Sequence, residues 1–576
     1  MNGSPLVRSL APVLLLAASV WGAYHNSVGG VLFWDDNETI VDNVYIKNPA
    51  YIKKIFQTSY HAGSGYYGPY YRPLTSLSFM LDYHLGKLKP SGYHLTNILI
   101  HSLNVLLLFF LLRRIVGGTF VPSLTALLFG IHPLNSEAVN YVSNRTDLLM
   151  LFFFLLGFLS YIRFRIGKNP VYFVLTCLFY GLSVLSKEMG IVLPLFLILY
   201  DRVVHPNAVA AMVQGIRSAT RSKSGARRVK RLMALHRRAP VLSYGVLGGL
   251  FLSYVVLRLT VLSFYKLNPL TQGAQAEPYS RDLLVRLLTF AEGGMVYWRL
   301  FVWPLGLHME YDRPLISGRF DPSGWLALGA WLILIGLLFL WGKKDWRISF
   351  GAWWFLLGLF PVMGIIVPIN NVISEHYLYV ACIGIFLCAA AAAQKLWRLQ
   401  KIFTGGLILI LALVLGGVTF ERNKVWSDPL KMFLDIISKT KTSFRAHVNA
   451  GYHYDKMGDQ AKAQYHWKKS LEIFPDYWVA LNNLGFAAYR KGDYAAAEDF
   501  YKRAVQSCSD FLLARRNLAE LYMAQKKYAQ ALEQLQHVLK TYPEDPWASR
   551  RMMVVLKKWA EEQGSAGAAA RTSEGP

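Results

Sequence analysis

The chain has 576 residues, 54% of them hydrophobic and only 17% charged, with a formal net charge of +26. Soluble domains carry about a quarter charged residues, so this composition excludes an ordinary soluble enzyme. Much of the basic excess sits in short segments between apolar runs, the positive-inside pattern of a membrane protein rather than a nucleic-acid surface.

The first apolar run, 8–28, lacks a clear small-residue cleavage site and reads as a retained signal-anchor helix. Directly behind it stands GGVLFWDDNETIVDN, with the adjacent acids Asp35 and Asp36. Further runs approaching the ~20 residues that span a bilayer fall near 93–112, 118–134, 146–163, 170–186, 188–203, 240–262, 323–341, 348–367, 375–394 and 402–420. The run Leu283 to Leu305 carries Arg286, Glu292 and Arg299, with Gly293-Gly294 at its centre.

The basic segments Arg113-Arg114, Arg163 to Lys168, Lys343 to Arg347 and Lys395 to Lys401 belong in the cytoplasm. So does His205 to Arg238, with nine Lys and Arg from Arg217 onward, which reads as an anchor facing anionic headgroups. Placing the N-terminus inside satisfies all of these. Span 323–341 must then begin outside, because Lys343-Lys344 follows it. The run 283–305 starts and ends outside, as an interfacial or re-entrant element. The expected topology is eleven spans, N-terminus inside and C-terminus outside. It gathers the loop 29–92, His132 to Asp147, Ser263 to Gly324 and the turns near Lys187 and Asn370 on the outer face.

From Ser443 a 34-residue repeat is visible. Gly451, Gly485 and Ala519 share one register, and Ala463, Ala497 and Ala531 another. This is the tetratricopeptide pattern of paired antiparallel helices. Trp426 to Thr442 is expected to add a capping helix, and the stacked repeats to bind protein or peptide. The expected domains are a polytopic unit, 1–422, a repeat unit, 423–560, and a disordered tail, 561–576.

The four cysteines, Cys177, Cys382, Cys388 and Cys508, have neither metal-type nor C-x-x-C spacing. The hexapeptide GSGYYG, Gly63 to Gly68, matches G-x-G-x-x-G but follows no strand and opens no helix, so it is no dinucleotide site. The chemistry-bearing residues lie in the outer connections. Asp35 and Asp36 open the first, and Tyr71-Arg72-Pro73-Leu74 lies later in it. HPLNSEAV, His132 to Val139, leaves the third span, and Asn144-Arg145-Thr146-Asp147 enters the fourth. Ser186-Lys187-Glu188 joins spans five and six, and Ser374-Glu375-His376-Tyr377 opens a late span.

Singly, each of these is a solvated helix end; together on one face they suit one task. A carboxylate at the outer surface can take a proton from an incoming hydroxyl. Arg72, Arg145, Lys187 and His376 can bind phosphate, arginine through a bidentate fork and lysine as a point charge. Glu137, Asp147 and Glu375 can orient a basic neighbour. The set fits sugar transfer from a polyprenyl phosphate to a hydroxyl acceptor.

FWDDNETIVDN, YYRPLTSLSF, YHLTNILIHSLNVLLLF, FGIHPLNSEAVNYVSNRTDLL, LSKEMGIVLPLFLILYD and SEHYLYVACIGIF, followed by the repeats, resemble the transmembrane and tetratricopeptide repeat-containing O-mannosyltransferase family. That resemblance implies the all-α C-type glycosyltransferase fold, a dolichyl- or polyprenyl-phosphate donor, usually of mannose, and inverting transfer to Ser or Thr of a protein. The family's catalytic acidic pair falls on Asp35 and Asp36, with Asp35 read as the base and Asp36 as holding the acceptor, a metal or the loop. The related protein mannosyltransferases need no metal, so none is expected; Asp35 and Asp36 would hold one if any bound. Where the family pattern has Glu-Arg, this chain has Glu375-His376, and imidazole is only partly charged near neutral pH. Three clear repeats, fewer than in many animal relatives, point to a bacterial homologue. Its site and repeats would be periplasmic on the inner membrane; in a eukaryote the membrane would be that of the endoplasmic reticulum.

Two rival readings stand beside this one. A ligase or polymerase acting on a glycan built on lipid diphosphate also combines many spans with a large outer loop. A non-catalytic scaffold would use the repeats to recruit a partner and leave the acid pair dispensable.

Overall fold

The computed structural model describes residues 5–65, 68–204, 243–262, 282–311, 316, 318–364, 372–509, 511–541 and 545–572. The basic segment His205 to Arg238, the turn near Asn370 and the middle of GSGYYG lie outside the described residues. Among the described residues all regular structure is helical, and the chain divides into two compact units, Met1–Asp428 and Pro429–Pro576.

In the first unit five helices are long and apolar enough to cross a membrane: Pro90–Val116, Val142–Gly167, Pro322–Gly342, Glu375–Leu399 and Lys401–Trp426. Phe120–Ile131, Pro170–Ser186 and Ser243–Leu259 are shorter apolar helices. The chain is therefore a multi-pass membrane protein. Pro73, Pro90, Pro170 and Pro322 each stand in a first helical turn, where a missing N–H costs nothing and the fixed φ suits the helix. The interior is apolar and aromatic. The Trp354 indole stacks on Phe158 at 6.0 Å and meets Phe196 edge-on at 4.7 Å.

Two elements differ from their sequence patterns. The stretch 188–203 is not one helix but three short pieces, Glu188–Val192, Leu193–Leu199 and Tyr200–Val204. Pro194 opens the middle piece, since proline cannot continue a preceding helical turn. The run 283–305 forms one continuous helix, Leu283–Val302, unbroken at its glycine pair. A Cβ on Gly294 would lie 2.8 Å from the Trp331 indole, so the glycine permits close packing of two helices rather than a break.

The boundary between the units falls after Asp428 instead of after residue 422. The helix Lys401–Trp426 runs on that far because its last turns bury Asn423 and Trp426 in the first unit.

The second unit opens with the expected extra helix, Pro429–Lys439. Three helix pairs follow: Phe444–Lys456 with Gln460–Ile473, Trp478–Arg490 with Tyr494–Ser507, and Leu512–Ala524 with Tyr528–Thr541. Asp459 and Asp493, one repeat apart, cap the second helix of the first two pairs by accepting from the Lys462 and Ala496 amides. The last helix, Pro546–Thr572, buries Ala548 and Val555 and carries the chain on from Glu561, where disorder was expected. Its alanine-rich end favours continuation.

Candidate active site

The acid pair sits in a tight turn. Trp34 takes the left-handed conformation, φ 55°, which costs a bulky residue about a kcal/mol or more. The turn splits the two carboxylates: Asp35 is exposed and Asp36 is fully buried. The Asp36 carboxylate accepts from the Phe33 amide at 3.2 Å, closing the turn, and from the Ser143 amide and hydroxyl at 2.8 and 2.5 Å. The Asp35 amide donates to the Tyr141 hydroxyl at 2.9 Å. Burial pushes the Asp36 carboxyl up to about 7 in spite of its three donors. Burial, with Asp35 and Asp42 nearby, also pushes Glu38 up to about 8.

The segment Tyr141 to Arg145 is the bridge of the site. While Ser143 holds Asp36, the next side chain, Asn144, donates to Glu137 Oε1 at 3.3 Å. Buried Glu137 pairs with His376 Nδ1 at 2.5 Å and accepts from the His376 amide at 3.3 Å and the Ser374 hydroxyl at 3.4 Å. Burial alone would raise the Glu137 carboxyl, but the imidazole and these donors hold it below its ordinary value. The same chain of contacts therefore links the acid loop to His376. Glu375 turns the other way, accepting from the His308 amide at 2.7 Å and the Tyr311 hydroxyl at 2.6 Å.

The remaining cationic positions are each engaged by an internal carboxylate. Arg72 forms a two-pronged pair with Glu188, Nε to Oε2 at 3.1 Å and Nη2 to Oε1 at 2.6 Å, and lies over the Tyr70 ring at 4.4 Å. The pairing pulls the Glu188 carboxyl down to about 2 against the opposing effect of burial. Lys187 bonds buried Asp147 at 2.7 Å. Arg145 is wholly enclosed, with Asp82 at 2.6 Å, the Asn97 amide oxygen at 2.8 Å and the Tyr93 carbonyl at 2.9 Å. Its place is in the architecture. Among the described residues no three His, Cys, Asp or Glu side chains converge as a metal site.

Sequence reasoning singled out Asp35, Asp36, Glu137 and His376 but missed what joins them. Ser143 and Tyr141 carry no charge, and Asp82 looked like an ordinary helix residue. One signal was there: Asp82 is the sole acid in the helix Pro73–Gly86.

Residues 12–216 match the family "Dolichyl-phosphate-mannose-protein mannosyltransferase", and residues 488–549 match "Tetratricopeptide repeat". The mouse (Mus musculus) protein O-mannosyl-transferase TMTC3 is 27% identical over 82% of this chain and 52% of its own length. The human (Homo sapiens) protein O-mannosyl-transferase TMTC4 is 26% identical over 76% of this chain and 63% of its own. The chain thus spans about half to two thirds of the length of these relatives. The apo crystal structure of the Archaeoglobus fulgidus oligosaccharyltransferase aligns at a TM-score of 0.38 and 14% identity, covering 79% of this chain and 60% of that one. A mannosyltransferase match in the membrane unit, repeats in their register behind it and relatives named protein O-mannosyl-transferases make this chain similar to the transmembrane and tetratricopeptide repeat-containing O-mannosyltransferases.

Proposed function

We propose that the membrane unit transfers a hexose, mannose by family, from a polyprenyl- or dolichyl-phosphate donor to a Ser or Thr hydroxyl of a protein at the outer face of the membrane. The observation that carries this reading is the division of the acid pair. Asp35 is exposed and can meet an acceptor hydroxyl, whereas Asp36 is spent on holding the turn. Asp35 acts as the general base while the sugar leaves its lipid phosphate. Among the described residues Arg72 Nη1 makes no hydrogen bond, so Arg72 retains one donor edge and stands with His376 for the leaving phosphate. Lys187, Asp147, Arg145, Glu137 and Glu375 support these groups through the pairings described above. The repeats hold the acceptor polypeptide. The test is sugar transfer from a polyprenyl-phosphate hexose by purified Asp35→Asn and Asp36→Asn proteins. Near-normal turnover in Asp35→Asn would remove the base assignment. Activity on a lipid-diphosphate glycan but not on the monophosphate would favour a ligase.

A further inference from the structure

The helix Lys401–Trp426 is docked at one end. Thr404 is buried near its start, and the other buried residues are Leu415, Thr419, Arg422, Asn423 and Trp426, on one face of its last turns. Polar bonds fasten that face. The Thr419 hydroxyl donates to the Ile131 carbonyl at 2.7 Å. The Asn423 amide donates to the Ala23 carbonyl and to the Asn26 side chain, both at 2.8 Å, and accepts from Asn140 at 2.7 Å.

Trp426, at the end of this helix, is buried against the acid turn. Its ring lies 6.2 Å from that of Phe33 and stacks at 6.0 Å on that of Tyr141, while Phe33 and Tyr141 are 5.7 Å apart. The Arg422 guanidinium stands 5.8 Å over the same indole. The acid pair depends on these two neighbours of Trp426. The Phe33 amide donates to Asp36, the Tyr141 hydroxyl accepts from the Asp35 amide, and Ser143, two residues past Tyr141, donates to Asp36.

Resting on the assignment of Asp35 as base, we propose that Trp426 is a positioning residue for sugar transfer. Its ring fixes those of Phe33 and Tyr141, and through them the direction in which Asp35 is presented. The left-handed backbone at Trp34 persists only where its surroundings hold it, so the turn needs support from outside. Three mutually packed rings supply it with defined geometry. A reacting group displaced by about 1 Å costs about a hundredfold in rate, so a side chain that touches no substrate can still govern turnover. Only Ser427 and Asp428 separate Trp426 from Pro429, where the second unit begins. The chain therefore leaves the membrane unit at the residue that supports the acid turn.

The experiment is a kinetic cycle on the full chain in detergent, with a short-chain polyprenyl-phosphate mannose as donor and a Ser/Thr peptide as acceptor. Trp426→Leu keeps an apolar side chain but no ring, and Trp426→Phe keeps a smaller ring. Trp426→Leu should lower kcat about tenfold to a hundredfold at unchanged donor KM, and Trp426→Phe should recover most of the loss. The double variant decides. In an Asp35→Asn background Trp426→Leu should cause little further loss, because the group it positions is already gone. A general loss of folded protein would instead repeat in both backgrounds. If Trp426→Leu does not purify folded, the cycle is run with Trp426→Phe, which should show a smaller loss of the same kind. Undiminished kcat in the variant used, or a loss repeated in full beside Asp35→Asn, overturns the proposal alone. So does an effect confined to donor KM. Near-normal turnover of Asp35→Asn by itself, or no transfer by the unmodified protein, overturns the base or donor reading and this proposal with it.

Discussion

The turn at Trp34 separates the two acids of the pair. Its left-handed backbone lets Asp36 fold back onto the Phe33 amide while Asp35 stays at the surface. Asp35→Asn should cut turnover by about two to four orders of magnitude, the usual worth of a general base, and leave the unfolding temperature in detergent unchanged. Ser143→Ala should do something different. It removes one donor to a buried carboxylate and should cost about 1–3 kcal/mol in stability, read as a lower unfolding temperature. The pH dependence has a definite sign. The Asp36 carboxyl stands near 7 in the fold against an ordinary 3.8, so its contribution to stability is complete below the lower value and is lost as pH rises through the higher. Thermal unfolding followed from about pH 4 to about pH 7.5 should show this loss, and Asp36→Asn should flatten it.

Helices and their order were legible because periodicity and length are local properties; partners across the fold were not. The three repeats could be aligned by eye on Gly451, Gly485 and Ala519. The structure gives the reason: a Cβ on Gly451 would lie 2.5 Å from the Trp467 indole, and one on Gly485 2.8 Å from the Tyr501 ring. Gly485→Ala should loosen the second repeat. The overpacking costs about 1–3 kcal/mol, offset by roughly 1 kcal/mol of gained helix propensity. Faster hydrogen exchange in Trp478–Ser507 than in the third repeat, which already carries Ala519, would confirm it. Charges at membrane boundaries made Asp35, Asp36, Glu137 and His376 visible as candidates. Their roles were not, because each depends on a partner far away in sequence: Asp36 on Ser143, Arg145 on Asp82 and Glu137 on His376. The continuous helix Leu283–Val302 was hidden for the opposite reason. Its charges and glycine pair suited an interfacial or re-entrant element, although glycine also serves wherever two helices must approach closely.

At the scale of the whole chain, orientation is an argument from charge. Moving a lysine or arginine across the hydrocarbon is costly, so the basic segments stay on the side of synthesis. Arg113-Arg114 ends the helix Pro90–Val116, and Lys343-Lys344 follows the helix Pro322–Gly342. Both ends therefore belong on one side. The helix Lys401–Trp426 begins at a lysine directly after the basic end of Leu378–Leu399, so the expected topology puts its far end and the repeats behind it on the other. The proposed function needs that side to be the one on which Asp35 meets a protein acceptor. The consequence can be measured without any assay of transfer. With Cys508 replaced, a cysteine introduced at Lys491, which is exposed in the second repeat, should react with a membrane-impermeant thiol reagent in sealed cells or vesicles of known orientation, from the side opposite the basic loops. A second cysteine at Lys343 should react only once the membrane is opened. If the two positions label together from one side, the parity of the spans is wrong. The proposed presentation of an acceptor to Asp35 by the repeats would then fail.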